Sequence, residues 1–129
     1  MQFAYTILYV PDVPAAVDFY ERAFGLARRF VHEGGQYAEM ETGATALAFA
    51  SEALSEANGL AIRPNTSRDI AAGIEICLAT ETPEQAYERA VAAGATPLKP
   101  VTQKPWGQRV GYVRDLNGCL VELCSPMVP

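Results

Sequence analysis

The tetrapeptide Tyr20-Glu21-Arg22-Ala23 recurs as Tyr87-Glu88-Arg89-Ala90, each time near the end of a helix-like run. A run rich in β-branched and aromatic residues precedes each copy, and a glycine followed by more short strand-like runs comes after it. The order strand, helix, strand, strand, strand therefore occurs twice. The repeat predicts one domain over residues 1–129, built from a module at about 1–52, a linker at about 53–72 and a second module at about 73–129.

The first half contains clear signals for the ends of its elements. Asp12 is the natural N-cap of a helix over 13–24, with a proline in the first turn, and Gly25 ends that helix. Tyr20 is expected on the helix face that packs against a sheet. Glycine turns separate the remaining strand-like runs, and a short helical turn is predicted at 52–57. The predicted strands cover 3–10, 28–33, 36–41 and 45–51.

The second half repeats this plan. Thr82, with Gln85 three residues later, forms a capping-box pattern for a helix over 83–93. The turn Asp115-Leu116-Asn117-Gly118 predicts a hairpin. A loop is predicted over 100–107, because two prolines and a glycine interrupt a strand ladder there. The predicted strands cover 74–80, 96–102, 108–114 and 119–125.

Composition and charge narrow the classes of partner. The formal net charge is −5 and the isoelectric point is about 4.8, which argues against nucleic-acid and anionic-membrane partners. No apolar run approaches the roughly 18 residues that span a bilayer, and the first residues lack signal-peptide features, which predicts a cytoplasmic protein. The cysteines are odd in number and have no CxxC spacing, so disulfide and zinc interpretations are weak and ordinary thiols are expected. They are Cys77, Cys119 and Cys124.

The doubled order of elements closely resembles the glyoxalase, bleomycin-resistance and extradiol-dioxygenase superfamily, also called the vicinal oxygen chelate family. Nearly the whole chain takes part in the resemblance. It implies an α+β fold in which two βαβββ modules form a concave mixed sheet, the cup, with helices outside, a small-molecule ligand or metal inside, and frequent homodimers. The segments that carry it are Tyr5–Val10 leading into Asp18-Phe19-Tyr20-Glu21, Ala93-Gly94-Ala95, Tyr112-Val113-Arg114-Asp115 and the closing run Cys119–Leu123.

The resemblance also implies four metal-ligand positions, which this chain fills only in part. The first falls on Tyr5, a poor ligand for a divalent metal, and the second falls in the run 46–49, which has no carboxylate, imidazole or amide. The third and fourth fall on Glu75 and Glu122. We expect no resident metal or other cofactor, with a divalent metal on these two carboxylates as the alternative. The lone histidine, His32, is expected at the surface or the rim of the cup.

Three roles remain open for Glu75 and Glu122. They are contact with a ligand or with cup side chains such as Tyr5, general acid or base catalysis after mutual repulsion has raised one pKa, and weak metal binding. Trp106 is either a stacking lid or a cap on the core. Strand alternation predicts a mostly apolar and aromatic cup for a flat, partly hydrophobic or cationic molecule. The predicted ligand-binding residues are Tyr5, Ile7, Tyr9, Leu47, Phe49, Cys77, Trp106, Leu120 and Cys124.

Two functions are therefore expected from the sequence. The first is a metal-free small-molecule-binding protein of the bleomycin-resistance type, acting as a homodimer; such relatives sequester a drug without chemistry. The second is a glyoxalase-like lyase or isomerase that uses Glu122 and Glu75 with a divalent metal or as acid and base.

Overall fold

The computed structural model describes residues 1–127 and contains two compact units, Met1–Pro64 and Asn65–Pro129. Their boundary lies inside the predicted linker, and each unit has the predicted βαβββ order. That these units make a single domain stays a prediction. The first unit contains β1 (Tyr5–Val10), α1 (Val13–Phe24), β2 (Ala27–Val31), β3 (Tyr37–Glu41), β4 (Ala46–Ser51) and α2 (Glu52–Ala57). The second contains β5 (Glu75–Ala79), α3 (Pro83–Ala92), β6 (Thr96–Gln103), β7 (Arg109–Arg114) and β8 (Leu120–Cys124).

The sheet of the first unit has the strand order β1-β4-β3-β2. Strand β1 pairs parallel with β4, and the other two pairings are antiparallel. A bulge at Arg29 interrupts the β2–β3 ladder, so that Arg28 pairs with Met40 while Phe30 pairs with Glu39. A bulge inserts one extra residue and re-aims the side chains that follow it. Here it sends Arg28 and Phe30 to opposite faces of the sheet.

Helix α1 covers one face of the first sheet. The side chain of Asp12 accepts a hydrogen bond from the backbone N–H of Ala15 at 3.0 Å, as an N-cap should, and Gly25 closes the helix with φ +68°. The Tyr20 ring lies 4.9 Å from the Phe49 ring on β4, measured between centroids. Both residues are at most 1% exposed. The predicted packing of Tyr20 against the sheet is confirmed, and the core of this unit lies between helix and sheet.

The sheet of the second unit repeats the same topology, with the strand order β5-β8-β7-β6 and a parallel β5–β8 pair. Helix α3 packs against β6, β7 and β8. The predicted capping box is wrong: Thr82 is the N-cap residue, but its side chain makes no capping hydrogen bond. Pro83, which lacks an N–H, occupies the first turn and is fully buried. The start of helix α3 is therefore fixed by the packing and the restricted φ of this proline and not by a side-chain cap.

The loop predicted over 100–107 is shorter than expected. Strand β6 continues through Pro100 to Gln103, and its register with β7 shifts between Lys99 and Thr102. A proline can stand on an edge strand where the ladder is already irregular, because no backbone N–H is needed there. The hairpin turn at Asp115–Gly118 forms as predicted, with the Gly118 N–H donating to the Asp115 carbonyl at 3.0 Å.

The predicted α+β class with two βαβββ modules is confirmed. Helices α1 and α3 each lie on one face of their own sheet, and the opposite face, called the uncovered face here, carries exposed side chains. Among residues 1–127, no helix has the length and apolar character required to cross a membrane. The uncovered faces are where the predicted site residues have to be sought.

Candidate functional site

The uncovered face of the first sheet is called here the first open face, and it consists of Tyr5, Ile7, Tyr9, Phe30, Tyr37 and Glu39. The register of β1 on β4 places Tyr5, Ile7 and Tyr9 beside Ala46, Ala48 and Ala50. Because alanine projects little, the larger side chains next to it stay accessible. The side chains of this face that remain most exposed are Tyr5 at 52%, Phe30 at 42% and Ile7 at 40%.

A hydrogen-bonded carboxylate lies within this aromatic surface. Glu39 is only 8% exposed; its Oε2 accepts from the Tyr37 hydroxyl at 2.8 Å and its Oε1 accepts from Arg29 at 3.1 Å. Arg29 also donates two hydrogen bonds to Glu41, at 2.9 and 3.1 Å. Burial, the hydrogen bond to Glu39 and the charge of Glu39 raise the pKa of Tyr37 to about 12. This polar group holds the Tyr37 ring in position on the face.

The site residues predicted from the sequence did not include Glu39, Tyr37 and Arg29. The first two alternate on β3 and could have been found from the period of that strand. Arg29 could not, because its position depends on the bulge in β2. By contrast, Arg28 lies on the helix side, where its Nη2 forms a 2.7 Å ion pair with Glu21 of α1.

Leu47 and Phe49 do not lie on the first open face, which corrects their prediction as ligand-binding residues. They alternate with Ala46, Ala48 and Ala50 and therefore project toward α1, where they are 5% and 0% exposed. The Phe49 ring contacts Tyr20 of that helix. An all-apolar strand does not reveal which of its faces meets the helix, and for β4 the larger side chains fill the core.

The second open face is the uncovered side of the second sheet and consists of Glu75, Cys77, Tyr112, Leu120, Glu122 and Cys124. Parallel pairing sets Glu75 beside Leu120 and Cys77 beside Glu122, and the antiparallel partner of Glu122 is Tyr112. The structure therefore brings together all five residues that were predicted for this sheet by strand alternation. Tyr112 was not predicted.

Thiols and a carboxyl are in direct contact on this face. The Cys77 Sγ donates to Glu122 Oε2 at 3.2 Å and lies 3.5 Å from the Cys124 Sγ. Within the described part of the chain, Cys77, Glu122 and Cys124 are the one group of three or more potential metal-ligating side chains, with ligand atoms all within 4.8 Å of one another. Glu75 is not a member of that group.

Burial and the negative charge of Glu122 favour the neutral forms of its neighbours Glu75, Cys77, Tyr112 and Cys124. The pKa of Glu75 is raised by burial, by a hydrogen bond with Glu122 and by the charge of Glu122. Burial is the largest cause of the raised pKa of the Cys77, Cys124 and Tyr112 side chains, and the Glu122 charge acts in the same direction on each. Without a bound cation, these neighbours resist becoming anionic together.

The metal-ligand set implied by the superfamily resemblance does not fit this chain. Tyr5 lies on the first open face at 52% exposure, and residues 46–49 supply only alanine, leucine and phenylalanine side chains. Of the four implied positions, only Glu75 and Glu122 carry carboxylates, and both belong to the second sheet. No reaction step through that metal follows from these residues.

Trp106 was predicted as a lid or a core cap, and His32 as a surface or cup-rim residue. Trp106 is 60% exposed and its Nε1 donates to Gln108 Oε1 at 2.8 Å, so the core-cap alternative is wrong. A role as a lid stays a prediction. His32 lies exposed in the turn after β2, where its Nδ1 accepts from the Gly34 N–H at 3.4 Å.

Comparison with protein families matches residues 2–123 to the family described as the Glyoxalase/Bleomycin resistance protein/Dioxygenase superfamily. A search of curated proteins returned no match. Among solved structures, a glyoxalase-related enzyme from Fulvimarina pelagi is 28% identical, with 98% of this chain and 88% of that chain covered and a TM-score of 0.79. TioX from Micromonospora sp. ML1 is 25% identical, with coverage of 97% and 98% and a TM-score of 0.72. A family enzyme from Burkholderia phytofirmans PsJN shares the fold, with 19% identity, coverage of 99% and 100%, and a TM-score of 0.82.

Proposed function

The chain belongs to the glyoxalase/bleomycin resistance protein/dioxygenase superfamily, and from this premise we propose that it is a small-molecule-binding protein of the bleomycin-resistance type. Its ligand is partly hydrophobic, with a flat part that lies against the first open face. The protein retains the ligand without transforming it. The superfamily places unrelated chemistries on one scaffold, so the proposal depends on the side chains of this face.

The observation that carries the proposal is the exposure of large apolar and aromatic side chains on the first open face. Tyr5, Ile7 and Phe30 are each at least 40% exposed although they belong to strands of one sheet. Large apolar side chains that are exposed together on one face mark a binding surface, whereas single exposed apolar residues are common on any protein. Aromatic rings supply contact area at low entropic cost, which suits a flat ligand.

The polar residues of the same face favour a ligand with a cationic group. Glu39 and Glu41 share the single guanidinium of Arg29, so the local charge is negative. A cation placed over the face of Tyr5 or Phe30 is attracted by the ring, by about 0.5–1 kcal/mol at an exposed site. The carboxylates add to that attraction at longer range.

Binding titrations with bleomycin and with ethidium, a planar cation, test the proposal. We expect binding that weakens by about 2- to 12-fold for each ring removed in Tyr5→Ala and Phe30→Ala, because a ring contact is worth about 0.5–1.5 kcal/mol. Leu116→Ala is the matched control, since Leu116 is 45% exposed but lies in the hairpin turn of the second unit. Binding that the two ring variants leave unchanged, or no binding of any planar probe, contradicts the proposal.

A second candidate function is a glyoxalase-like lyase or isomerase that uses Glu75 and Glu122 as acid and base. The contact between these two carboxyl groups favours it, since one proton shared by two carboxyls provides a donor and an acceptor on one surface. Turnover of the hemithioacetal of methylglyoxal and glutathione, lost in Glu122→Gln, would replace the binding function by this one. Absence of turnover together with probe binding on the first open face supports the binding function.

We further propose that the protein acts as a homodimer in the cytoplasm. The three cysteines are free thiols, which is typical of a reducing compartment. Homodimers are implied by the superfamily resemblance. Sedimentation equilibrium at micromolar concentration tests the dimer, and a mass equal to one chain contradicts it. Cell fractionation tests the compartment, and recovery of the protein outside the cytoplasmic fraction contradicts it.

A further inference from the structure

Two thiols and one carboxyl converge on the second open face because β5 and β8 run parallel. In the register of this pair, Cys77 lies beside Glu122, while Cys124 is two residues further along β8 and therefore projects from the same face. The Cys77 Sγ lies 3.2 Å from Glu122 Oε2 and 3.5 Å from the Cys124 Sγ. We propose that these three side chains bind a borderline-soft divalent cation, with Zn²⁺ as the best match.

The distances between the ligand atoms fit a tetrahedral ion. With Zn–S near 2.3 Å and Zn–O near 2.1 Å, two thiolates bound to one tetrahedral Zn²⁺ lie about 3.8 Å apart, and a thiolate and a carboxylate oxygen lie about 3.6 Å apart. The Cys77–Glu122 and Cys77–Cys124 separations are a few tenths of an ångström smaller, and all three ligand atoms lie within 4.8 Å of one another.

The donor types select the class of ion. Thiolates favour Zn²⁺ and other thiophilic ions over Mg²⁺ and Ca²⁺, which prefer oxygen. Three protein ligands leave the fourth tetrahedral position to water, as in zinc sites that are open to small molecules. Cys77 is exposed and provides the path of entry, whereas Cys124 is 3% exposed and anchors the ion in the sheet.

This site differs from the metal-ligand set implied by the superfamily resemblance. It shares Glu122 with that set and uses two cysteines in place of the remaining positions. All three ligands come from two adjacent strands of one sheet, so binding at this site needs no residue of the first unit. It is independent of the ligand proposed for the first open face.

Titration of reduced, chelator-treated protein with Cd²⁺ and Zn²⁺ tests the site. Cd²⁺ reports bound thiolates through ultraviolet charge-transfer absorption, and we expect one equivalent to saturate a band of two-thiolate intensity. Either ion, added to the metal-free protein, should release protons as the thiols ionise, and excess Zn²⁺ should remove the band by displacing Cd²⁺. The reductant keeps Cys77 and Cys124 from oxidising to a disulfide.

Three variants and one matched control complete the experiment. Cys77→Ser and Cys124→Ser should each halve the band. All three variants, including Glu122→Gln, should weaken Zn²⁺ binding by more than about 100-fold, because loss of an outer-shell partner alone costs roughly 10–100-fold. Cys119→Ser is the control, because Cys119 is a buried thiol outside the group. It should leave the band and the affinity unchanged. Far-UV circular dichroism of each metal-free variant confirms that it is folded.

Several results would overturn the proposal. One is the absence of a charge-transfer band in the reduced wild-type protein. Another is a band that persists in the folded double variant Cys77→Ser/Cys124→Ser. A third is Zn²⁺ binding that the double variant retains and Glu75→Gln abolishes, which would assign the ion to oxygen ligands alone.

Discussion

Replacing Phe49 by alanine tests the assignment of faces in the first sheet. The side chain is fully buried and its ring centroid lies 4.9 Å from that of Tyr20 on α1. If Phe49 is a core residue, its truncation opens a cavity between helix and sheet and destabilises the first unit. If it lined the open face, as predicted from the sequence, its loss would mainly weaken ligand binding.

The expected loss of stability follows from burial. Truncating a fully buried phenylalanine to alanine costs about 3–5 kcal/mol in unfolding free energy, including the cavity that remains. The aromatic pair with Tyr20 contributes about 0.5–1.5 kcal/mol of specific ring contact to that cost, and the middle of the range is taken as the expected value. We expect about 4 kcal/mol for Phe49→Ala.

Phe30→Ala is the matched control, because it removes the same side chain from the open face. Phe30 is 42% exposed and its ring contacts Tyr37 at a centroid distance of 6.0 Å. Partial burial and one distant ring contact amount to about 1 kcal/mol. The difference of about 3 kcal/mol between the two variants depends only on which face each ring occupies.

Urea unfolding followed by far-UV circular dichroism measures both variants against the wild-type protein. Phe49→Ala should lower the midpoint by about three to four times as much as Phe30→Ala. Equal shifts, or a larger shift for Phe30→Ala, would refute the assignment of Phe49 to the helix side. So would a Phe49→Ala variant of wild-type stability that has lost binding of a planar probe.

Three further expectations come from local contacts and can each be measured by unfolding or titration. Asp12→Ala should lower the free energy of unfolding by about 1 kcal/mol, because the Asp12 side chain caps α1. Thr82→Ala removes no capping hydrogen bond and should change it by no more than about 0.5 kcal/mol; equal losses would contradict the capping difference. Tyr37, with a folded-state pKa of about 12, should ionise after ordinary tyrosines, so wild-type stability falls as the pH rises from about 10 through 12; a tyrosinate titration that Tyr37→Phe leaves unaltered would contradict this. Gly118→Ala should lower the free energy of unfolding by about 1–3 kcal/mol more than Gly107→Ala. Both glycines have positive φ, but only at Gly118 would an added Cβ lie 2.6 Å from a loop carbonyl oxygen and a guanidinium nitrogen; comparable losses would show that the loop moves to make room for the methyl group.

Signals within one element were sufficient to predict the ends of helix α1 and of the hairpin turn. Asp12 and Gly25 bound α1 where their capping preferences place them. Thr82 shows the limit of such signals. Its capping-box pattern makes a side-chain cap possible, but α3 begins at the buried Pro83 without that hydrogen bond. Pro100 shows the same limit for strands, since an irregular edge ladder tolerates a proline that a regular one excludes.

The candidate site was predictable only where one strand carries a clear alternation. Tyr5, Ile7 and Tyr9 alternate with the buried Leu8 and Val10, so the two faces of β1 differ in the sequence itself. On β4 every residue from 46 to 50 is apolar and buried, and the assignment of Phe49 was wrong. Glu39 follows the period of β3, whereas its partner Arg29 reaches it through the bulge on the neighbouring strand.

The sequence by itself determined the doubled order of elements and the α+β class, because helix periodicity, capping residues and glycine turns act over a few neighbouring residues. Only the tertiary structure decided which apolar side chains face a helix and which thiols meet. Cys77 and Cys124 are separated by most of the second unit along the chain and lie 3.5 Å apart between their sulfur atoms. Their spacing predicts no site, because the register of two parallel strands is set by the packing of the whole sheet and is not written in either strand alone.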